Sequence, residues 1–252
     1  MDVMMSVGNN FFYTKSLPCS IWFFDKGKAE AIQDHVLFID ARNYYTVVDR
    51  TLNEWSEWQL KNLNAIVWLY RGEVDKYKAL IDEYLDALLD YHTTLDGDDE
   101  IVPAILTTGG FSAKYAAMKA EAQNQRAKAK AAVDAAAKKE KKAVSAQWDE
   151  RITALEAITT VMGEAAWLTE KFGNNGEYHD IPGLCKMASR VEIAEKNYSL
   201  TPGAYVGVAA VEDDGVDFAQ RMGEIYSELL SLHAESNELM QTISKNMKEM
   251  RL

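Results

Sequence analysis

Residues 8–28 read GNNFFYTKSLPCSIWFFDKGK, and residues 1–7, MDVMMSV, lead into them. Two apolar runs, Val3 to Val7 and Cys19 to Phe24, flank a polar, aromatic loop punctuated by Gly8, Asn9, Asn10 and Pro18. The pattern predicts a strand, a loop and a strand. Asp25-Lys26-Gly27-Lys28 is a turn, and a third apolar run, Val36 to Ile39, follows a polar stretch long enough for one helical turn. Three short strands do not make a domain alone.

This stretch resembles the end of the catalytic domain in the modification subunit of type I restriction-modification systems, the DNA adenine methyltransferase subunit usually called HsdM. The resemblance rests on Leu17-Pro18-Cys19-Ser20-Ile21-Trp22-Phe23-Phe24 and Val36-Leu37-Phe38-Ile39-Asp40-Ala41-Arg42. A second block looks like the C-terminal part of the same family. It comprises Ile181-Pro182-Gly183-Leu184-Cys185 and the run from Ile193 to Gly207, IAEKNYSLTPGAYVG. The resemblance implies the last strands of a Rossmann-like methyltransferase sheet over residues 1–50 and a helical C-terminal region over 51–252.

Amino-methyltransferases of this family carry an Asn/Asp-Pro-Pro-aromatic tetrapeptide that holds the amine of the target base, and a Gly-rich loop that approaches S-adenosylmethionine. The prolines are Pro18, Pro103, Pro182 and Pro202, none adjacent to another, and Gly109-Gly110 follows no convincing strand. The expectation is therefore a chain equivalent to the C-terminal part of a modification subunit, without catalytic or cofactor-binding residues of its own and inactive alone. S-adenosylmethionine belongs to the whole enzyme, which methylates the exocyclic amine of adenine in DNA.

Across 252 residues the hydrophobic content is 48% and the formal charge −12, which excludes a whole-surface nucleic-acid binder and confines any DNA contact to a local basic element. Two cysteines, Cys19 and Cys185, make no disulfide framework and suit a reducing compartment. No run approaches the roughly 20 apolar residues of a membrane span, and MDVMMSV lacks the basic start of a signal peptide, so the expected location is cytoplasmic.

From Glu54 the pattern turns helical: Trp55, Trp58, Leu63, Ile66, Val67 and Tyr70 recur at helical intervals, with Asn53 as the expected N-cap. Gly72 marks a break, and Val74 to Thr94 carries a second amphipathic helix. Asp96-Gly97-Asp98-Asp99 reads as a solvated turn, since it lacks the length and the closing Glu of a twelve-residue calcium loop. Ser112 to Met162 contains neither Gly nor Pro and is rich in Ala and Lys. Nine basic residues against three acids fall between Lys114 and Lys142. A straight helix of that length would reach about 75 Å, so this arm (112–172) either projects or folds back near Lys138 to Ser145. Its basic residues, Lys138, Lys139, Lys141 and Lys142 above all, suit DNA phosphates; the bland alternative is a solvated, Ala-rich helix. His179 and Cys185 without a second ligand pair do not make a metal site.

The last helix, residues 216–250, steps through Met222, Ile225, Leu229, Leu232, Ser236, Leu239, Ile243, Asn246 and Met250 by threes and fours, a heptad seam that wants a helical partner. In the resembled family the C-terminal helices meet the specificity subunit, so Met222, Ile225, Leu229, Leu232, Leu239 and Ile243 are the expected partner-binding residues. The restriction subunit joins the full complex. The resemblance also places Phe12, with Phe11 next, as the aromatic that stacks on a target base flipped out of the duplex; both side chains filling the local core is the alternative. Loss of sheet partners from the first strand predicts self-association. The whole reads as mainly α, with long helices, a C-terminal heptad helix and a small β remnant. It serves specificity-subunit assembly and DNA contact; the alternative is a non-catalytic helical adaptor that binds a partner coiled coil without DNA.

Overall fold

Strands β1 (Val3–Val7) and β3 (His35–Ala41) are mostly apolar, with successive residues buried, which is the signature of strands covered on both faces. The computed structural model describes residues 1–12, 16–94, 105, 109–208 and 218–249. It divides into two units, Met1–Ala209 and Ala210–Leu252.

In the first unit β1 pairs in parallel with β3 and antiparallel with β2 (Cys19–Phe23). A single 3-10 turn, Glu30–Ile32, occupies the connection before β3. The far side of β3 is taken by β6 (Cys185–Ser189), antiparallel, giving the order β2-β1-β3-β6. The sheet therefore draws one strand from well beyond residue 50. A short hairpin, β4 (Thr46–Val47) with β5 (Asn53–Glu54), follows β3. The edges also differ from expectation: β1 is paired on both sides, and the edge strands are β2 and β6.

Period-two alternation sorts the sheet residues between two cores. Val3, Met5, Leu37 and Ile39 face the long helices, while Met4, Val36, Phe38 and Ala188 face a smaller cluster with Ile193, Tyr205 and Val206. There α5 (Arg190–Glu195) and α6 (Gly203–Val206) cover the sheet, and Tyr205 stacks on Phe38 at 3.8 Å.

Helix α1 (Glu57–Tyr70) begins later than the sequence pattern suggests, because Ser56 rather than Asn53 is the N-cap. Ser56 Oγ accepts from the Gln59 amide at 3.2 Å while Gln59 Oε1 accepts from the Ser56 amide at 3.0 Å. This reciprocal box satisfies two of the helix's free donors, and Asn53 is committed to β5. Gly72, at φ +76°, breaks the chain before α2 (Val74–Thr94), which buries Tyr77, Leu80, Tyr84, Leu88 and Tyr91 along one stripe.

The Ala/Lys-rich segment folds back on itself: α3 (Phe111–Ala135) and α4 (Lys141–Phe172) form a hairpin closed by residues 136–140. An Arg126–Glu156 ion pair at 2.6 Å and a Ser112–Glu170 hydrogen bond at 2.7 Å join the two helices. Gly163 lets the Tyr115 ring lie against α4, since a Cβ there would come 3.0 Å from it. The buried residues of α4 begin at Leu155 and run to Phe172, and the helix packs on α1 and α2; none of its residues before Leu155 is fully buried. The loop at 96–99 lies outside the described residues.

The second unit contains α7 (Phe218–Glu249). The expected helix ends at 216, 217 and 250 lie outside the described residues. The first unit is mainly α-helical around a small mixed sheet, and among the described residues no helix is long and apolar enough to cross a membrane.

Candidate functional site

After β1 the chain passes Gly8 so close to the Arg42 carbonyl that a Cβ would sit 2.6 Å from its oxygen. Asn10 then takes a left-handed conformation, φ +62°, which asparagine tolerates. This bend carries the chain into Phe11 and Phe12. Residues 44–55 brace it: the Asn53 amide donates to Asn10 O at 2.8 Å and Asn53 Nδ2 to Asn9 O at 2.9 Å. Phe11 packs between Tyr45, edge-on at 5.9 Å, and Trp55 at 4.7 Å. Trp55 Nε1 in turn donates to Tyr44 O at 2.7 Å.

The two phenylalanines consequently differ. Phe11 is half-buried in an aromatic cluster, while Phe12 is 49% exposed at the end of a pinned backbone. Tyr13 lies outside the described residues. Sequence reasoning missed the braces Asn53 and Trp55, having put the first on a helix cap and the second in the helix itself; their pairing with the 8–12 loop crosses more than forty residues and has no periodic signal.

Beside this loop, β2 leaves its apolar residues uncovered. Ile21 and Phe23 share the face of Met5 and Val3, and Trp22 shares that of Met4, so the strand exposes large side chains on both faces. Trp22 is 49% and Phe24 70% exposed.

Next to the aromatic cluster lies a polar network. Tyr44 OH donates to Glu164 Oε2 at 2.5 Å, Asn62 Nδ2 donates to Tyr44 OH at 2.9 Å and to Glu164 O at 3.0 Å, and Tyr84 OH donates to Asn62 Oδ1 at 2.9 Å. Burial first, and the Glu164 carboxylate second, push the Tyr44 and Tyr84 hydroxyls far above the ordinary tyrosine range, so both remain donors. Tyr44 stacks on Trp167 at 4.2 Å.

The four lysines sit together at the hairpin tip: Lys138 and Lys139 in the exposed turn, Lys141 and Lys142 in the first turn of α4. That turn carries no acid and its N-cap, Glu140, makes no side-chain cap. Lys141 stands 26 residues from Trp167, about 39 Å along the helix, so the tip and the Phe12 loop are separate places. On α7, Met222, Ile225, Leu229, Leu232, Leu239 and Ile243 are all exposed, with Tyr226, Leu230 and Met240 widening the stripe. Among the described residues no three His, Cys, Asp or Glu side chains converge on a metal position. His179 Nδ1 lies against Glu177 O at 3.2 Å and Cys185 is buried.

The N-6 DNA methylase family matches residues 1–84, the segment that holds β1 to β5, α1 and the first half of α2. The type I restriction enzyme HindI methylase subunit of Haemophilus influenzae is 44% identical over 70 residues, 28% of this chain and 16% of that protein. The type I restriction enzyme MjaIX methylase subunit of Methanocaldococcus jannaschii is 25% identical over 228 residues, 90% of this chain and 23% of that protein. The chain spans less than a quarter of the length of these relatives. No solved structure matches it. With a match to the N-6 DNA methylase family over β1 to β5, α1 and part of α2, and likeness to a methylase subunit over nine-tenths of its length, the chain resembles the modification subunit of type I restriction-modification systems.

Proposed function

We propose that this chain does the work of the C-terminal part of a type I DNA adenine methyltransferase subunit, completing the methyltransferase sheet and docking the subunit onto its specificity partner and onto DNA. The observation that carries the reading is β2. An edge strand with Ile21, Trp22 and Phe23 exposed across its two faces is poorly suited to water and well suited to the interior of a larger sheet. The Phe12 loop leaves directly from that sheet, which is where a base flipped from DNA would need an aromatic face.

S-adenosylmethionine is the methyl donor of the whole enzyme, and the residues described do not fit it. Gly8 is the glycine that directly follows a buried strand, and the Arg42 carbonyl fills the space beside it. No step is therefore assigned to the cofactor, and the chain alone should not methylate DNA.

The hairpin tip supports a phosphate contact on electrostatic grounds. Lys141 and Lys142 lie where the helix end is already positive, an arrangement that costs stability and that an anion relieves. The exposed heptad stripe of α7 supports docking to a helical surface of the specificity subunit, with the restriction subunit joining the assembled complex. The deciding experiment is size-exclusion chromatography with light scattering on the chain mixed with a specificity subunit. A stoichiometric complex that disappears in the Leu229→Asp/Ile243→Asp variant supports the docking role; a folded chain that forms no complex overturns it. Adding DNA, neutralisation of the four tip lysines should lower the slope of log affinity against log salt by about 3–4. An unchanged slope removes the tip from the DNA interface.

A further inference from the structure

Phe12 serves a flipped base only if the backbone behind it stays in one place, since a displacement of about 1 Å at a positioned group can cost about a hundredfold in rate. Its braces, Asn53 and Trp55, belong to a segment that does not support itself. Strands β4 and β5 have two residues each, and Val47 and Val48 are exposed. A hairpin of that size is marginal in water. The segment needs an anchor in the helices, and Tyr44 at its start supplies one.

Glu164 and Trp167 lie three residues apart, on one face of α4. Trp167 takes the Tyr44 ring in a stack with 13° between the planes, and Glu164 takes the hydroxyl. Asn62 of α1 closes a third side. It donates to the Tyr44 hydroxyl and, at 3.3 Å, to the Glu164 carboxylate, while Tyr84 of α2 donates to Asn62. The backbone of Tyr44 serves the brace: its carbonyl accepts from Trp55 Nε1, and Trp55 packs on Phe11, the neighbour of Phe12. Ring, hydroxyl and carbonyl of one residue thus join α1, α2 and α4 to the loop.

A carboxylate is an unexpected group with which to fill this space. It carries a desolvation cost that an apolar side chain avoids. What it adds is direction, because a hydroxyl bound to a carboxylate makes a short bond roughly twice as strong as a neutral one. Such a bond suits a group whose task is to hold a ring in one orientation, rather than to occupy volume.

We propose that Glu164 is a positioning residue for the base-stacking loop: acting through Tyr44 and Trp55, it holds Phe11 and Phe12 in the orientation that receives an unpaired base. The inference rests on the role given to Phe12 above. It makes the base of the α3–α4 hairpin a support of the base pocket, although Glu164 touches no base.

The test labels the full chain with 4-fluorophenylalanine and follows the fluorine NMR resonances of Phe11 and Phe12, identified by Phe11→Leu and Phe12→Leu, against that of Phe38 in the opposite core. Glu164→Ala should move both loop resonances toward those of a freely rotating ring and leave Phe38 in place. Glu164→Gln keeps the reach and an acceptor and should restore the loop. Glu164→Asp keeps the charge, falls one methylene short and should not. If the alanine variant does not fold, the Gln and Asp variants carry the comparison. Loop resonances unmoved in the Ala and Asp variants overturn the proposal, and so does a Phe38 resonance that moves as far as that of Phe12, since Glu164 then acts on stability alone. The role of Phe12 is read separately, from the affinity of the chain for a duplex with one unpaired adenine relative to the fully paired duplex, because an unpaired base costs little to turn out. The parent and Glu164→Gln should prefer the unpaired adenine by about tenfold, and Phe12→Leu and Glu164→Ala should lose the preference. A preference lost in Phe12→Leu but kept in Glu164→Ala overturns the proposal alone. No preference in the parent, with the spectra as expected, overturns the base-stacking role itself.

Discussion

Gly176 shows how much a single position can hold. It sits in the turn after α4 at φ +72°, and a Cβ there would lie 2.5 Å from the Tyr77 ring and 3.0 Å from Leu69. Tyr77 is fully buried and donates to Gly173 O at 2.6 Å, so its ring has no freedom to retreat. Gly176→Ala should cost about 2–4 kcal/mol, part from the left-handed backbone and part from overpacking, and lower Tm by roughly 5–15 °C in a calorimetric scan. Cys185 makes a different prediction. Burial pushes its thiol up to about 12, so the folded state holds that proton more tightly than the unfolded chain does. The associated stability is complete below pH 9 and is lost as pH rises from there toward 12, and the urea midpoint should fall over that window. At pH 8 an alkylating reagent should modify Cys19, half-exposed on β2, and spare Cys185 until the chain unfolds. At this scale the sequence was legible where a residue acts locally. Ser56-x-x-Gln59 was there to be read as a capping box, and the aromatic stripe that begins at Trp55 masked it by suggesting an earlier start. Glu164 was not legible, because its partners Tyr44 and Asn62 arrive from more than a hundred residues away.

Single elements were largely readable from their own patterns. Val3–Val7, Cys19–Phe23, the break at Gly72 and the helix over Val74–Thr94 follow from apolar spacing and glycine alone. The fold-back of the long basic segment near residue 138 was readable as one of two options, and helix packing on the Leu155–Phe172 half selected it. What an element's own sequence does not reveal is its neighbour. Cys185–Ser189 joins β3 across some 145 residues, and Trp22 gives no sign of which layer should cover it. The exposed edge of β2 makes a prediction of its own. Alone, the chain should associate through this strand, with a weight-average mass above the monomer in sedimentation equilibrium. Ile21→Lys/Phe23→Lys should restore the monomer by placing charge on one face of the edge. A monomer without those changes would show that the open strand is harmless.

At the scale of the molecule, the residues of both hydrophobic clusters lie within Met1–Ala209. Deleting Ala210–Leu252 should therefore leave Tm within about 3 °C of the parent while abolishing complex formation with the specificity subunit. A large fall in Tm would mean that α7 contributes to the fold of the first unit. The strand order β2-β1-β3-β6 also carries a temporal consequence. In the order of synthesis β3 waits for residues 185–189 before its second edge is closed, and the helices that cover the sheet emerge in between. The nascent chain must hold a strongly apolar strand with one edge open through the synthesis of some 145 further residues. At ordinary elongation rates that interval lasts about 10–30 s, long enough for a chaperone to bind the open strand before β6 does.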